Sequence, residues 1–317
     1  MILSIGEPLV EFAALRPGPL GEAEEFRRGW GGDTSNFAIA CARLGASVGY
    51  LTRVGDDPFG QALRAMWTQE GVDTRHVRVA PKEPTGIYFL AWDLDGRHTF
   101  TYYRAGSAAA RLSVEDIQPE VFEGVQLVHI TGITQAISKS ARLAVRRAVE
   151  LARSRGVAVS YDANIRPALC PVETLRAEVQ WAIARADLAF LSSEDAAYLF
   201  GESSGEKVLD QLFTLGATIA VLKQGERGCL VGTRGGDRIR VPAWPVHAVD
   251  TTGAGDAFDA GFVVAWLEGA PLRQAAQFAN AVGALTTTAL GATRAIPTRA
   301  QVMRFLAVQD PSWREGG

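Results

Sequence analysis

The nine residues Asp250-Thr251-Thr252-Gly253-Ala254-Gly255-Asp256-Ala257-Phe258 are the part of the sequence best suited to chemistry. The two glycines allow backbone N–H groups to turn toward one point, and a helix that begins there adds the positive end of its dipole. Such a turn suits a phosphate, and still more the charge that develops on a phosphoryl group during transfer. Asp256 stands where it can act as a base toward an attacking alcohol, whose proton leaves as the new bond forms. The alternative is that Asp256 only caps a helix and the glycines only turn the chain.

Two standard nucleotide motifs are absent from the sequence. There is no GxxxxGK string, and no GxGxxG follows the first apolar run, so neither a P-loop enzyme nor a dinucleotide-binding oxidoreductase is indicated. A different cradle is possible at Lys223-Gln224-Gly225-Glu226-Arg227-Gly228, where a glycine turn follows an apolar run and the lysine can face phosphates. The same string is also compatible with a plain hairpin turn.

Polar groups that could recognise a polyol stand near the N-terminus. Gly31-Gly32-Asp33-Thr34-Ser35-Asn36 precedes an apolar helix over Phe37–Leu44. The glycines permit close approach of a ligand, and the Asp33 and Asn36 side chains could hold its hydroxyl groups. The alternative is a loop that ends in a helix cap.

Two arginines could recognise a carboxylate. Tyr102 and Arg104 are two residues apart in a β-prone stretch, so their side chains share one face of a strand. Arg166 follows Asp162-Ala163-Asn164, beyond the end of another predicted strand. A guanidinium can form two parallel hydrogen bonds with a carboxylate. The alternative for each arginine is a solvated surface charge.

The elements that must position these residues form a regular series in the second half of the chain. Short apolar runs alternate with helical sequence such as Arg142–Arg155 and Val172–Arg185, which is typical of a parallel sheet covered by helices. The four runs are residues 127–130, 157–161, 188–191 and 218–222. Each is followed by polar residues, so one crevice at the carboxyl ends of the strands should hold them all. A further strand is predicted over Trp244–Val249.

A second, smaller β-structure is predicted before residue 111. Two β-prone stretches, 85–92 and 98–104, flank the turn sequence 93–97 and predict a hairpin. Residues 7–16 and 26–30 could add further strands. A small β-layer at the edge of an α/β domain would serve as a lid or as a dimer surface.

Composition excludes several classes of protein. The chain has 317 residues, of which 47% are hydrophobic and 21% charged, which excludes intrinsic disorder. A net charge of −3 without a basic run argues against nucleic acid as a partner. No apolar run reaches the roughly 18 residues that span a bilayer, and the N-terminus lacks the pattern of a signal peptide. Three scattered cysteines and four histidines without helical spacing indicate neither disulfides nor a zinc site. We therefore predict a cytoplasmic protein without a membrane partner.

Taken together, these motifs resemble the ribokinase-like (PfkB) carbohydrate kinases over nearly the whole chain. The resemblance rests on Gly31-Gly32 with Asn36, Arg53-Val54-Gly55-Asp56-Asp57-Pro58-Phe59-Gly60, Thr85-Gly86 and Asp250 to Phe258. It implies one domain over residues 1–317, with a parallel sheet between helices and lid strands from about 7–30 and 84–110. It also implies a homo-oligomer, with a dimer formed through the lid.

The resemblance further implies ATP as the phosphoryl donor with Mg²⁺, and allows a monovalent cation such as K⁺. Asp256 would be the base, and Gly253, Ala254 and Gly255 would form the anion hole. The residues implied near the nucleotide are Ser192, Lys223, Gly225, Gly228 and Asn280.

Within this family the sequence is most similar to the 2-keto-3-deoxygluconate kinases. The strings that carry this are Gly6-Glu7-Pro8-Leu9-Val10, Gly31-Gly32-Asp33-Thr34, Tyr102 to Ala108, Thr131-Gly132-Ile133-Thr134 and Asp162 to Pro167. The resemblance implies that the sugar acid contacts Gly32, Tyr88, Tyr102, Arg104 and Arg166. The chain departs from the pattern at Ile165 and Cys170, where tyrosine and tryptophan are usual. It also departs at Ser192 and Asp195, where Asn and Glu are frequent around the water shell of magnesium, and Asp195 is the candidate metal residue.

Three functions remain open at this point. The first is a kinase that phosphorylates the terminal primary hydroxyl of 2-keto-3-deoxygluconate to give the 6-phosphate. The second is a kinase of a neutral sugar, chiefly fructokinase, or of a nucleoside. The third is a non-catalytic sugar sensor, against which the intact Gly253–Asp256 string argues, because a sensor needs no base.

Overall fold

A computed structural model of the chain describes residues 1–93, 97–201, 204–236, 238–310 and 313. Within these residues there are thirteen strands and ten α-helices. The strands are β1 (Ile2–Ile5), β2 (Leu9–Ala14), β3 (Phe26–Gly31), β4 (Val48–Gly55), β5 (Val77–Ala80), β6 (Ile87–Trp92), β7 (His98–Tyr103), β8 (Leu127–Thr131), β9 (Ala158–Asp162), β10 (Leu188–Ser192), β11 (Ile219–Lys223), β12 (Cys229–Thr233) and β13 (Arg238–Val241). The helices are α1 (Asp33–Arg43), α2 (Pro58–Gln69), α3 (Gly132–Ala136), α4 (Lys139–Ser154), α5 (Val172–Ile183), α6 (Ser193–Phe200), α7 (Gly205–Leu215), α8 (Ala254–Leu267), α9 (Leu272–Thr286) and α10 (Arg299–Gln309).

The main sheet has nine strands in the order β13-β12-β11-β10-β9-β8-β1-β4-β5. The strands from β11 to β5 pair in parallel, which confirms the predicted fold class. At the opposite edge of the sheet the pairing is antiparallel, between β11 and β12 and between β12 and β13. The turn Gly225–Arg227 joins β11 to β12, so the glycine string after Lys223 is a hairpin turn at this edge.

Helices cover both faces of the sheet and bury two apolar layers. On one face α1, α2, α8, α9 and α10 contribute side chains such as Phe37, Trp67 and Phe262, none of them exposed. On the other face α4, α5 and α7 contribute Val145, Val179 and Leu209. Because both faces are buried, the central strands are apolar throughout, as parallel strands between helices must be.

The four strands predicted from the sequence each end on a polar residue. β8, β9, β10 and β11 end at Thr131, Asp162, Ser192 and Lys223. Since these strands run parallel and are neighbours, their last residues stand side by side along one edge of the sheet. The predicted crevice therefore lies at this edge.

The second sheet is the predicted lid. Its strands lie in the order β3-β2-β6-β7, with β2 and β6 parallel and the outer pairs antiparallel. Leu9 and Tyr88 lie on the side toward the crevice, whereas Phe12, Phe89 and Tyr103 lie on the opposite side. The β6–β7 pairing confirms the predicted hairpin, although residues 94–96 of its turn are outside the described part of the chain.

The predicted strand over Trp244–Val249 is wrong. This segment runs as irregular backbone, and its hydrogen bonds go to α9 and to the residue that follows it instead of a neighbouring strand. The Trp244 indole donates to the Gln277 carbonyl at 2.9 Å, and the Val249 amide donates to the Thr287 carbonyl at 2.7 Å. Pro242 and Pro245, which have no N–H to offer, favour this course over a sheet ladder. Among the described helices, none is both long and apolar enough to cross a membrane.

Candidate active site

A cleft of about 1520 Å³ lies between the strand ends of the main sheet and the inner side of the lid. It brings together most of the predicted site residues. Those that line it are Gly32, Asp33, Asn36, Tyr88, Tyr102, Arg104, Arg166, Ser192, Lys223, Gly225, Gly253, Gly255, Asp256 and Asp195. Residues separated by more than two hundred positions in the sequence thus share one cavity.

Asp256 lies in the first turn of α8, in the middle of this cleft. Asn36 donates from its side-chain amide to Asp256 Oδ2 at 2.8 Å, which orients the carboxylate. Burial raises the pKa of Asp256 to about 7, the negative charge of Asp33 adds to the shift, and the bond from Asn36 opposes it. A carboxylate with a pKa near neutrality is well matched to accept a proton during a reaction.

The turn before Asp256 has the backbone geometry that the sequence predicts. Gly253 has φ of +79°, in the left-handed region, and α8 begins immediately after it. A side chain would not fit there, since a Cβ on Gly253 would lie 2.5 Å from the Ala292 carbonyl oxygen. The Ala254 amide donates to the Thr251 carbonyl at 3.2 Å and Ala254 does not line the cleft, whereas Gly255 and Asp256 do. The amides of Gly255 and Asp256 are therefore those at the start of α8 that can bind an anion.

Lys223 lies at the end of β11 and is held by two carboxylates. Its ammonium donates to Asp162 Oδ2 at 2.9 Å and to Asp259 Oδ2 at 3.0 Å. Burial opposes the charge, but the two carboxylates outweigh burial and raise the pKa of Lys223. Burial and the charge of Asp162 raise the pKa of Asp259 well above its usual range. Lys223 is therefore a fixed cation within a paired cluster.

Arg104 also has a partner. Its guanidinium donates to Glu7 Oε2, and both side chains are buried. Burial raises the pKa of Glu7 in spite of the positive charge of Arg104. The second Glu7 oxygen and Arg104 Nε are buried without a hydrogen-bond partner in the described part of the chain. The charge of Arg104 is thus largely met by Glu7.

Arg166 differs from Arg104 in its surroundings. Its side chain is exposed at the cleft, and its hydrogen bond goes to the neighbouring Ile165 carbonyl at 2.9 Å. No carboxylate pairs with it among the residues that the structure describes. Both arginine charges act on Tyr102: burial raises the pKa of Tyr102, and the charges of Arg104 and Arg166 lower it.

Tyr88 is anchored by a carboxylate that the sequence did not suggest. Its hydroxyl donates to Glu11 Oε2, and its ring packs against Tyr102 with centroids 5.7 Å apart. Burial raises the pKa of Glu11. Because the Tyr88 proton is directed to Glu11, the hydroxyl oxygen is left to accept a bond from a ligand.

Ser192 and Asp195 form a reciprocal cap at the start of α6. Asp195 Oδ2 accepts from the Ser192 amide at 2.9 Å, and the Asp195 amide donates to Ser192 Oγ at 3.0 Å. Asp195 Oδ1 accepts from the Ile165 amide at 2.8 Å, so both carboxylate oxygens already hold backbone groups. The metal role of Asp195 stays a prediction, and its contacts are those of a cap that joins two strand ends.

Oxygen donors for a divalent cation are nevertheless available nearby. Glu194 is exposed and lines the cleft, and Asp162 Oδ1 is buried without a hydrogen-bond donor among the described residues. Carboxylate oxygens are the ligands that Mg²⁺ prefers, together with water and phosphate. The described residues form no cluster of three or more His, Cys, Asp or Glu side chains that could hold a metal ion by themselves. Glu194 and Asp162 therefore fit Mg²⁺ as two carboxylates beside phosphate and water ligands.

Two predicted nucleotide residues do not line the cleft. The Asn280 amide donates to the carbonyls of Val241 and Pro242 at 3.3 and 3.0 Å. Gly228, with φ of +89°, packs against the same segment: a Cβ would lie 2.1 Å from the Val241 carbonyl oxygen. Their contact with a nucleotide stays a prediction, and here both hold the chain that leads toward the glycine turn.

Sequence reasoning missed the partners of the predicted residues more than the residues themselves. Asp259 follows Asp256 by three positions, a spacing that puts both on one helix face and could have found it. Glu7 follows an apolar run, but its partner Arg104 lies 97 residues away, so no local pattern predicts that pair. Asn164 donates to Asp33 Oδ2 at 3.3 Å with φ of +33°, the left-handed region that Asn tolerates, and no periodicity predicts that contact.

A nine-stranded sheet with a lid over its strand ends, and a carboxylate beside a glycine turn, defines a kinase of small hydroxyl compounds. The family model described as pfkB family carbohydrate kinase matches residues 1–299. The chain therefore belongs to the pfkB family of carbohydrate kinases. This makes it a phosphotransferase, so the non-catalytic sensor is the wrong reading of its motifs.

Relatives of two kinds are similar to this chain. It is 36% identical over 309 residues to the 2-dehydro-3-deoxygluconokinase of Thermoproteus tenax, covering 96% of this chain and 94% of that one. It is 33% identical over 317 residues to fructokinase-1 of Zea mays, covering 96% and 97%. An E. coli protein assigned as ribokinase II, solved with ATP and Mg²⁺, has a TM-score of 0.91 at 26% identity and covers 97% of this chain and 99% of its own. The ribokinase-like fold is thereby confirmed.

Proposed function

We propose that this kinase transfers the γ-phosphoryl group of ATP to the terminal primary hydroxyl of 2-keto-3-deoxygluconate, giving the 6-phosphate. The observation that carries the proposal is Arg166, an exposed guanidinium at the cleft without a carboxylate partner in the described residues. A sugar acid supplies that partner, and a planar guanidinium binds a carboxylate through two parallel bonds. The same compound, under the name 2-dehydro-3-deoxygluconate, is the substrate named for the Thermoproteus tenax relative.

Asp256 acts as the general base in this proposal. The sugar lies with its primary hydroxyl next to Asp256 and its carboxylate toward Arg166. Asn36 holds Asp256 Oδ2, so that Oδ1 is the oxygen left to take the hydroxyl proton as the oxygen attacks phosphorus. Since an alcohol is a weak acid, the proton moves to the carboxylate during the attack and not before it.

The residues at the polyol part of the sugar are Gly32, Asp33, Asn36 and Tyr88. Asp33 and Tyr88 are held by neighbours, since Asp33 accepts from Asn164 and Tyr88 donates to Glu11. Both then present oxygen atoms that accept hydrogen bonds, which suits hydroxyl groups and not a carboxylate. Because hydrogen-bond acceptors lie at the polyol end of the cleft and a cation lies at Arg166, we place the sugar carboxylate at the Arg166 end.

The turn at Gly253, Ala254 and Gly255 binds the transferred phosphoryl group through backbone N–H groups at the start of α8. Lys223 and Gly225 lie along the nucleotide side of the same cleft. Bound Mg²⁺ would neutralise phosphate charge, with Glu194 and Asp162 as the side chains of this chain that offer oxygen donors.

Fructose is the second candidate acceptor, and one observation favours it. Arg104, the other predicted carboxylate ligand, is already paired with Glu7. A neutral ketose needs no free cation, and in such a site Glu7 spares Arg104 the large cost of a buried charge without a partner. Arg166 therefore decides between the two substrates.

The test compares kcat/KM for 2-keto-3-deoxygluconate and fructose in wild type and in Arg166→Ala. The wild type should prefer the acid. Arg166→Ala should raise KM for the acid by about 10- to 200-fold, the effect of losing a charge-assisted bond of about 1.5–3 kcal/mol. Turnover of fructose should change far less. Arg75→Ala, which removes an exposed arginine paired with Asp73 outside the cleft, is the matched control and should change neither.

Preference of the wild type for fructose would reject the sugar-acid proposal in favour of a fructokinase. Equal loss on both substrates in Arg166→Ala would reject Arg166 as the carboxylate ligand. Galactonate- and gluconate-type 2-keto-3-deoxy acids belong in the same panel, because they differ at one hydroxyl group of the polyol.

A further inference from the structure

The glycine turn rests on a loop that none of the predicted roles includes. This loop, residues 287–296, follows α9 and passes beneath the turn. Ala292 fills the space that a side chain on Gly253 would need. The Gly291 amide donates to the Asp250 carboxylate at 2.8 Å. The position of the turn therefore depends on where this loop lies.

One arginine holds the far end of the loop. Arg43 Nη1 donates to the carbonyl oxygens of Thr293 and Ile296, both at 2.8 Å. The other edge of the same guanidinium binds Glu70 through Nε at 2.8 Å and Nη2 at 2.6 Å. Four bonds on a planar group fix the two loop carbonyls relative to α1 and to the end of α2.

The helix that carries Arg43 also reaches the catalytic carboxylate. Arg43 is the last residue of α1, and Asn36, in its first turns, donates to Asp256. One rigid helix is thus bonded at its start to the proposed base and at its end to the loop beneath the glycine turn. A helix of eleven residues keeps these two bonds at a constant separation.

We propose that Arg43 is a positioning residue for phosphoryl transfer, which sets the place of the Gly253 turn relative to Asp256 through loop 287–296. The inference rests on the proposed role of that turn as the anion hole. It does not depend on which sugar is the acceptor, because the turn faces the transferred group and not the sugar carboxylate.

An ordinary stabilising role for Arg43 predicts something different. The Arg43–Glu70 pair is about one fifth exposed, and such a pair contributes to stability through its ionic bond. If that were its whole function, removing Glu70 would have the same effect as removing Arg43. Removal of Glu70 leaves both bonds to the loop carbonyls in place, so the two substitutions separate the roles.

The test measures kcat and both KM values, with thermal unfolding as the check of folding, in Arg43→Met, Arg43→Lys and Glu70→Gln. Arg43→Met should lower kcat by about tenfold or more, the effect of displacing catalytic groups by a fraction of an ångström to 1 Å, while KM for the sugar stays within about twofold. Arg43→Lys, with one ammonium in place of the planar fork, should give an intermediate kcat and keeps the test usable if the methionine variant does not fold. Glu70→Gln should keep kcat within about twofold.

Arg146→Met is the control for loss of a two-bond arginine–glutamate pair, since Arg146 on α4 binds Glu178 on the opposite face of the sheet, away from the loop. Wild-type kcat in folded Arg43→Met and Arg43→Lys would overturn the proposal, as would an equal loss of kcat in Glu70→Gln. Gly253→Ala is assayed in parallel. If Gly253→Ala keeps wild-type kcat, the proposed anion hole itself fails; if it is inactive while Arg43→Met is normal, only the role of Arg43 fails.

Discussion

The side-chain amide of Asn36 donates to Asp256 Oδ2 at 2.8 Å, although 220 residues separate them in the sequence. Asn36 Oδ1 is buried and accepts no hydrogen bond from the described residues. The amide group of Asn36 is therefore committed to the proposed base, and Asn36 also lines the cleft. Its hydrogen bond fixes the orientation of the Asp256 carboxylate.

Asp256→Asn should abolish most of the activity and leave binding in place. The amide keeps the shape of the carboxylate but cannot take the hydroxyl proton, so kcat should fall by roughly 10²–10⁴-fold. Steady-state kinetics gives kcat, and calorimetric titration with the sugar gives the affinity. A variant that retains near-normal kcat would exclude Asp256 as the base.

The pH dependence of kcat/KM should report the ionisation of Asp256. A base must be deprotonated, so kcat/KM should rise with pH through an apparent pKa of about 7 and level off above it. Asn36 favours the ionised form by donating to it, and its removal in Asn36→Ala should move the rise to higher pH. A profile that is flat between pH 6 and 8, or a shift to lower pH in Asn36→Ala, would contradict this assignment.

Lys223 should matter for stability as well as for the nucleotide. Lys223→Met leaves the buried carboxyls of Asp162 and Asp259 without their cation, and loss of one partner from a buried pair costs about 3–5 kcal/mol. Asp259→Asn should cost much less, because Lys223 keeps the Asp162 carboxylate as its partner and no buried charge is left unpaired. Urea unfolding at pH 7 compares the two variants. Equal destabilisation by both would show that Lys223 needs both carboxylates.

The outer side of the lid should form a dimer interface. Phe12, Phe26 and Phe89 pack together there, beside Tyr103, which is 63% exposed. A large aromatic surface of this kind usually marks a contact between proteins. Sedimentation at micromolar concentration should give a dimer for wild type and a monomer for Tyr103→Asp. Val308→Asp, at an apolar site on α10 that is 76% exposed, is the control and should remain dimeric.

Local sequence was sufficient for the strands that end in the cleft. β8 to β11 were predictable because each apolar run is long enough for one strand and stops at a polar group, such as Thr131 or Lys223. The hairpin from β11 to β12 was predicted only as one of two alternatives, since the turn at Gly225 has the composition of a hairpin turn and of a phosphate-binding turn, and β13 was not predicted. The segment Trp244–Val249 was predicted as a strand from its apolar residues, whereas its neighbours in space decide its course.

In the candidate site, too, features set by adjacent residues were predictable and features set by distant residues were not. Asp256 and the glycine turn could be found because backbone geometry at a helix start depends on adjacent residues. The pairing of Arg104 with Glu7, 97 residues away, could not be found because it depends on how the lid sits on the sheet. From the sequence alone, Arg104 and Arg166 were both predicted to bind a carboxylate. In the structure Arg104 is paired with Glu7, whereas Arg166 bonds only to a backbone carbonyl among the described residues.

The order in which the cleft residues occur along the chain has a consequence for how this protein can evolve. The lid strands and α1, which bear the proposed sugar contacts from Gly32 to Arg104, all precede residue 105. Lys223, the glycine turn and Asp256 all follow residue 218. Mutation or recombination in the first third of the chain can therefore alter how the polyol part of the acceptor is held, while Arg166 and the phosphoryl-transfer groups stay unchanged. Polyol recognition and phosphoryl transfer can then be inherited separately, and the hydrogen bond between Asn36 and Asp256 is a contact that any exchanged segment has to restore.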